Sequence, residues 1–162
     1  MIRLRLADAA ATEAVGAALG RALSQRRGLV VFLRGGLGAG KTTLVRGWLR
    51  ALGAAGPIRS PTYTLVEPYE LQRCSVLHLD LYRLSGAAEL EQLGLCDIPP
   101  EECLWLVEWP ERGGGRLPSP ALDLSLQVID SGREISVEAG PELEPLVEHA
   151  LQQFPRQPLR GT

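Results

Sequence analysis

Hydrophobic and polar residues alternate in two parts of the chain. Residues 2–6 have the sequence IRLRL, and residues 122–128 and 135–137 repeat the alternation on either side of a short polar segment. A period of two is typical of strands that bury one face. It predicts a short strand near the start of the chain. Near the end it predicts a β-hairpin that turns at residues 130–133 and leaves one face in solvent.

Three other runs are mostly apolar, at residues 29–33, 74–80 and 104–108. Runs of this length are typical of strands that are buried on both faces. Residues 62–70 are rich in Thr, Tyr and Val and predict a further strand. This strand is a candidate to form a hairpin with the run at residues 74–80.

Apolar residues recur at helical spacing in four segments. Asp8 or Thr12 is expected to cap the first helix. The later helices are predicted at residues 42–52, at residues 87–93 and from Pro141 onward. Strands and helices therefore alternate along a chain of 162 residues, which is long enough for a domain with its own core.

A glycine-rich segment joins the predicted strand at residues 29–33 to the predicted helix at residues 42–52. Residues 35–42 have the sequence GGLGAGKT, which fits the phosphate-binding pattern G-x-x-x-x-G-K-S/T in the context that this pattern requires. Glycines leave no Cβ in the way of a phosphate and let backbone N–H groups point into one concavity. The positive end of the following helix favours the same anion.

The alternative is a glycine-rich turn that fits the pattern by chance, and the lysine of the motif argues against it. Lys41 is the only lysine among 17 basic residues. Its compact ammonium suits the β- and γ-phosphates, while the Thr42 hydroxyl suits Mg²⁺. The residues expected to bind the nucleotide are Gly35, Gly38, Ala39, Gly40, Lys41, Thr42 and Thr43.

The loop sets the predicted fold class. We expect an α/β P-loop NTPase with a central mixed sheet, extended by antiparallel strands, and helices on both faces. A single ATPase domain is expected over residues 1–154 and a disordered tail over residues 155–162.

Two carboxylates stand at the ends of apolar strands. Asp80 ends the run at residues 74–80, and Glu108 ends the run at residues 104–108. Ligands of open α/β sheets bind beyond the carboxyl ends of the strands. If both strands flank the strand before the glycine loop, one carboxylate would hold Mg²⁺ and the other would orient or deprotonate the attacking water. The alternative for each is a cap on the next turn.

Thr62 and Trp109 have structural explanations as well as functional ones. Thr62 lies in SPTYT, where P-loop enzymes carry switch segments, and is a candidate for Mg²⁺ or the γ-phosphate. An ordinary turn before a strand is the alternative. Trp109 is a candidate to stack near the nucleotide or to anchor a loop.

A histidine and two arginines near these motifs are expected to be structural or solvated. His78 shares a strand face with Asp80 and is expected to be buried and hydrogen-bonded. Arg112 and Arg116 lie in a glycine-rich loop, where solvated charge is the simpler interpretation.

Composition narrows the functional classes. The net charge of −2 and the pI of about 5.7 disfavour strong nucleic-acid binding by the chain alone, and no DNA is expected as a partner. Apolar runs are too short for a membrane span, and the first residues lack the apolar core of a signal peptide. The odd number of cysteines (Cys74, Cys96 and Cys103) indicates reduced thiols, so a cytoplasmic protein is expected.

Four segments in order, GGLGAGKTTLVRG, SPTYTLVEPYE, HLDLYRL and VEWPER, resemble the TsaE (YjeE) family. The resemblance implies a P-loop ATPase that binds ATP and Mg²⁺ and hydrolyses ATP slowly. It also implies a role in making threonylcarbamoyladenosine at position 37 of tRNA. In that role the family acts on the TsaD–TsaB heterodimer and meets tRNA only through this complex.

The resemblance also implies roles for individual residues. Lys41 and Thr42 would bind phosphate and Mg²⁺, Glu108 would be the Mg²⁺ ligand, and Asp80 would be the second acid needed for hydrolysis. Thr62 would lie in the switch-like segment. We treat Lys41, Asp80 and Glu108 as the predicted catalytic set.

The remaining implied positions surround the nucleotide. Trp109 would lie near it, and Thr12 and Arg133 would approach its adenine end. One position departs from the family, whose loop usually reads G-D-L-G-A-G-K-T and here carries Gly36. Any role of that aspartate in bracing the loop or in hydrolysis is missing, so slower turnover with retained binding is expected.

Two other functional classes were weighed. A small kinase acting on a metabolite fits the phosphate loop, with residues 112–116 as a lid. However, that loop leads into a hairpin, whereas kinase lids of this size lie between helices. A nucleotide-gated switch is compatible with the ATPase. A GTPase switch is disfavoured, because the guanine-specific N-K-x-D pattern needs an asparagine and the chain contains none.

Overall fold

The computed structural model describes residues 1–95, 98 and 100–156. The strands in these residues are β1 (Ile2–Leu6), β2 (Val30–Arg34), β3 (Val66–Glu70), β4 (Ser75–Asp80), β5 (Cys103–Glu108), β6 (Leu122–Ile129) and β7 (Gly132–Ala139). The α-helices are α1 (Ala9–Ala22), α2 (Lys41–Ala51), α3 (Ala87–Gln92) and α4 (Glu144–Leu151). Short 3₁₀ helices cover Pro100–Glu102 and Pro110–Gly113.

All seven of these strands belong to one sheet, in the order β1-β7-β6-β2-β5-β4-β3. β2 lies between β5 and β6 and is parallel to both, and β4 is parallel to β5. The pairs β3–β4, β6–β7 and β1–β7 are antiparallel. The predicted mixed α/β sheet with antiparallel extensions is confirmed. Because β6 runs parallel to β2 and beside it, the turn of the β6–β7 hairpin lies near the loop that follows β2.

The two faces of the sheet have separate apolar cores. One contains the buried faces of α1, α2 and α4, and the other contains α3 with the inward residues of β4 and β5. The prediction of helices on both faces is therefore confirmed. Among the described residues, no helix is both long enough and apolar enough to cross a membrane.

Helices α1 and α2 pack with their backbones in close approach. A Cβ built on Gly16 would lie 2.0 Å from the carbonyl oxygen of Leu44, and one built on Gly47 would lie 1.9 Å from that of Glu13. Only glycine fits at such distances. The contact brings the start of α1 beside the start of α2. The cap of α1 is Asp8, whose Oδ1 accepts from the backbone N–H of Ala11 at 2.8 Å.

The predicted starts of one strand and one helix were wrong. The strand expected from residue 62 begins at Val66, because residues 61–65 form a turn in which Leu65 N–H donates to the carbonyl of Pro61 at 2.7 Å. The last helix begins at Glu144, not at Pro141, because residues 141–143 form a turn closed by the N–H of Leu143 on the carbonyl of Gly140.

The tail that was expected to be disordered from residue 155 contacts β1 through its first two residues. Arg5 N–H donates to the carbonyl of Pro155 at 3.2 Å, and Arg156 bridges to Leu4. The chain therefore follows β1 as far as Arg156, and residues 157–162 lie outside the described part. Cys96 also lies outside it, whereas Cys74 and Cys103 are free thiols.

Candidate nucleotide-binding site

The glycine loop leaves β2 and enters α2 through backbone conformations that side chains rarely adopt, at Gly35, Gly38 and Gly40. Gly35 has φ +133°, and a Cβ there would lie 2.2 Å from the carbonyl oxygen of Leu126 in β6. Gly40, the N-cap of α2, has φ +108°. These two glycines are required by geometry. Gly36 is different, because a Cβ there would meet no atom within 4 Å.

Lys41 is buried, with 5% of its surface exposed, and lies inside the curve of this loop. Its Nζ donates to the carbonyls of Gly35 at 2.7 Å and Gly36 at 2.8 Å, and lies 4.1 Å from the centre of the Trp109 ring. Burial lowers the pKa of Lys41, and the carboxylates of Glu108 and Asp80 partly oppose that shift. The ammonium is thus aimed and desolvated, which strengthens its attraction for a phosphate.

Thr42 and Glu108 are in direct contact. The Thr42 hydroxyl donates to Glu108, with Oγ1 2.9 Å from Oε1 and 3.2 Å from Oε2. Glu108 is 2% exposed, and its Oε1 also lies 2.8 Å from Nε2 of the fully buried His78. The expectation of a buried, hydrogen-bonded His78 is confirmed.

Asp80 is tied to the segment that precedes β3. Its Oδ2 accepts from the hydroxyls of Ser60 and Thr62, and its Oδ1 accepts from the backbone N–H of Tyr82 at 3.0 Å. Thr62 therefore reaches the site through Asp80. The hydroxyls of Ser60 and Thr62 thus bind a carboxylate at the start of the turn that residues 61–65 form.

The condition that the strands of both carboxylates flank the loop-bearing strand is met for Glu108 and not for Asp80. β5 lies next to β2, and β4 lies beyond it, with Asp80 in register with Glu108. Glu108 therefore contacts Thr42, whereas Asp80 stands one strand farther away. The strand order thus separates the positions of the two acids.

These side chains surround a cavity of about 260 Å³. The predicted site residues that line it are Gly38, Ala39, Gly40, Lys41, Thr42, Thr43, Thr62, Asp80, Glu108, Trp109 and Arg133. Arg133 is the second residue of β7, because the hairpin turn occupies residues 130–131 and not the predicted 130–133. Its Nε donates to the carbonyl of Ala39 at 3.0 Å. This long-range contact is a consequence of β6 running parallel to β2.

Two predicted site residues do not line the cavity. Gly35 supports the loop from below and gives its carbonyl to Lys41. Thr12 is buried, and its hydroxyl donates to the carbonyl of Asp8 at 3.0 Å. Its methyl group instead faces Gly40, where a Cβ would approach it to 3.4 Å.

Three residues that were not predicted also line the cavity: Leu37, Ser60 and Tyr82. The Tyr82 ring packs against Trp109, with centres 4.9 Å apart, and Trp109 has the unusual φ of +59°. Ser60 lies in SPTYT and Tyr82 in HLDLYRL. These two motifs therefore indicated the segments, although not the individual residues, that reach the cavity. The arginines of the next loop are engaged elsewhere, since Arg112 lies over the Tyr82 ring and Arg116 pairs with Glu91.

The oxygen ligands in the cavity suit a hard divalent cation that is bound partly by the protein and partly by phosphate oxygens. The described residues contain no cluster of three His, Cys, Asp or Glu side chains able to hold a metal ion. The Thr42 hydroxyl and the Glu108 carboxylate offer oxygen only, which suits Mg²⁺ held by one or two protein ligands, water and phosphates.

Comparison with known proteins assigns the chain to a family. A model of the family "Threonylcarbamoyl adenosine biosynthesis protein TsaE" matches residues 6–135. The tRNA threonylcarbamoyladenosine biosynthesis protein TsaE of Haemophilus influenzae is 41% identical over 121 residues, which is 75% of this chain and 77% of that protein. The protein of the same name from Nostoc is 39% identical over 138 residues, 82% of each chain.

A solved structure agrees over a longer stretch. The crystal structure of YdiB from Bacillus subtilis superposes with a TM-score of 0.74 at 29% identity, covering 94% of this chain and 97% of that one. On the match over residues 6–135 and on these relatives, the chain belongs to the TsaE family.

Proposed function

We propose that this protein binds Mg²⁺–ATP in the cavity beside the glycine loop and hydrolyses it slowly, as an accessory ATPase for threonylcarbamoyladenosine modification of tRNA in the cytoplasm. The observation that carries the proposal is the convergence of Lys41, the Thr42–Glu108 pair and Asp80 on one cavity. The names of its relatives support the pathway.

In this proposal the roles follow from the hydrogen bonds. The Thr42 hydroxyl donates a hydrogen bond to Glu108, so the lone pairs of its oxygen stay free for a metal ion beside the Glu108 carboxylate. A bound Mg²⁺ would neutralise charge that develops on the phosphates. Lys41, held by the carbonyls of Gly35 and Gly36, supplies a second, fixed positive charge.

Asp80 serves a different step. Three donors occupy its oxygens, so the carboxylate is held rigidly and its position is linked to Ser60 and Thr62. We assign to it the orientation of the attacking water and the ordering of the switch-like segment that contains Thr62. Trp109 forms one wall for the phosphates, and Arg133 closes the end of the cavity next to Gly40.

We propose the TsaD–TsaB heterodimer as the partner and contact with tRNA only through that complex. The net charge of −2 supports indirect contact, because a protein that neutralises many phosphates needs a basic surface. A kinase acting on a metabolite stays the alternative, although Arg116 of its supposed lid is paired with Glu91.

The test is phosphate release from Mg²⁺–ATP, measured with and without purified TsaD–TsaB. We expect stimulation by the partner and a loss of about a hundredfold in Lys41→Ala, which removes the fixed charge. Thr42→Ser and Thr42→Val form a matched pair. Ser keeps the hydroxyl and most of the rate, whereas the isosteric Val loses both the metal contact and the donor to Glu108.

Two results would contradict the proposal. A rate that is indifferent to TsaD–TsaB would remove the pathway role. Transfer of the γ-phosphate to a metabolite in place of water would replace the ATPase with the kinase.

A further inference from the structure

Glu108 stands where P-loop NTPases commonly use an aspartate to hold the metal ion. A glutamate has one more rotatable bond than an aspartate, so fixing its carboxylate costs more conformational entropy. Thr42 contributes a single hydroxyl donor to this carboxylate. One donor on a side chain of this length leaves its last torsion weakly determined, so a second group is needed to fix it.

His78 is that second group. It lies on β4, is fully buried, and has Nε2 2.8 Å from Glu108 Oε1. The β4–β5 register pairs His78 with Leu106, two residues before Glu108 on the same face of the sheet. His78 and Glu108 are thus diagonal neighbours across adjacent strands, a separation that long side chains can span.

The hydrogen-bond pattern fixes the tautomer. A carboxylate oxygen only accepts, so Nε2 of His78 must carry the proton. The other ring nitrogen, Nδ1, is buried and has no hydrogen-bond partner among the described residues. Among the described residues, the only hydrogen bond of the His78 side chain is therefore the one to Glu108.

We propose that His78 is a positioning residue, which donates from Nε2 to Glu108 and fixes the carboxylate in the orientation that holds the metal ion beside Thr42. This inference rests on the magnesium site of the proposed function. Partners of this kind behind a metal ligand typically change metal affinity about 10- to 100-fold when they are removed.

Three variants separate this role from packing. In His78→Gln the side-chain amide nitrogen falls near the place of Nε2, so the donor is kept. In His78→Asn the amide falls near the place of Nδ1, which faces no acceptor. His78→Phe fills the volume without a donor. Gln and Asn thus form a matched pair, both polar and differing in whether they reach Glu108.

The measurement is the affinity for the fluorescent nucleotide mant-ATP, once with EDTA and once with saturating Mg²⁺. In the wild type we expect Mg²⁺ to tighten binding. In the His78→Phe and His78→Asn variants we expect this Mg²⁺-dependent gain in affinity to fall about tenfold or more, while the affinity without metal stays within about twofold of the wild type. The His78→Gln variant should keep the gain. A residue with a packing role only would change both affinities together.

Equal tightening in the wild type, Asn and Gln variants would overturn the role of His78 and leave the proposed function intact. If Phe does not fold, the Gln and Asn comparison decides alone. If Mg²⁺ does not tighten binding even in the wild type, the magnesium site of the proposed function fails, and the assignment of His78 is refuted with it.

Discussion

At the scale of single residues, the sequence predicted best the site residues that lie together in one short motif. Residues 38–43 were predicted from a short pattern, and all of them line the cavity. Ser60, Tyr82 and the contact of His78 with Glu108 depend instead on which strands become neighbours. No local pattern specifies that, so motif resemblance pointed to their segments and not to their roles.

Gly36 gives a prediction at this scale. Its side-chain position is open, and its φ lies outside the left-handed region, so Gly36→Asp is accommodated. We expect Asp to raise ATP turnover a few-fold, because a side chain restricts the empty loop and restores the residue usual in the family. Nucleotide affinity should stay within about twofold.

Gly36→Ala is the matched control for that experiment. Both variants reduce the freedom of the unfolded chain and should raise the free energy of unfolding by about 0.4–1 kcal/mol. Only Asp should raise turnover if its carboxylate matters. An unchanged rate in Gly36→Asp would contradict the prediction, and equal gains in both variants would assign the effect to backbone stiffness.

At the scale of elements, the pattern of apolar residues predicted the helices but not how α1 and α2 meet. Glycine inside a helix lowers helix propensity, so Gly16 and Gly47 count against the helices when the sequence is considered locally. The structure gives the reason for them, since each faces a backbone carbonyl of the other helix. A contact between elements thus explains residues that local propensity disfavours.

The close packing of α1 and α2 makes Gly47→Ala costly. A methyl group would lie 1.9 Å from the carbonyl oxygen of Glu13, so the helices must move apart. We expect a loss of about 1–3 kcal/mol in the free energy of unfolding, measured by urea denaturation.

Gly86→Ala is the control for this substitution, because no atom lies within 4 Å of a Cβ there and its φ of 177° is ordinary extended backbone. Its effect should stay within about 0.5 kcal/mol. Similar stabilities for the Gly47 and Gly86 variants would show that the helix contact tolerates a methyl group.

At the scale of the whole molecule, the sequence supported the fold class but not the strand order. Alternating and continuous apolar runs indicated strands with one buried face and strands with two, but not their places, since the alternating β6 and β7 lie inside the sheet and not at its edge. In the sheet, β5 lies between β2 and β4, and β6 lies on the other side of β2. These neighbours are far apart in sequence, so no local pattern specifies them. They place Glu108 next to Thr42 and bring Arg133 to the loop, and so they complete the site.

Stability at alkaline pH is a property of the whole fold, because Cys103 lies in the core. Burial raises the pKa of its thiol from 9.0 to about 11. The folded state therefore keeps this proton after the unfolded chain has lost it. The stabilising contribution is complete below pH 9 and disappears as the pH rises to about 11, with a total near 3 kcal/mol at most.

The measurement is the free energy of unfolding of wild type and Cys103→Ala at several pH values between 8 and 11. We expect the wild type to lose stability more steeply across this range. Cys74→Ser, at a half-buried thiol, should change the slope less. Parallel slopes for the wild type and the Cys103 variant would contradict the assignment.

Lys41 is the only lysine in the chain, and it lies almost wholly inside the glycine loop. Amine-directed acylation therefore has one side chain to modify, and the only other amine is the chain terminus. Its lowered pKa supplies more of the reactive free base than an ordinary lysine would at the same pH. The fraction of Lys41 acylated, read by mass spectrometry, thus reports occupancy of the phosphate pocket without any engineered label.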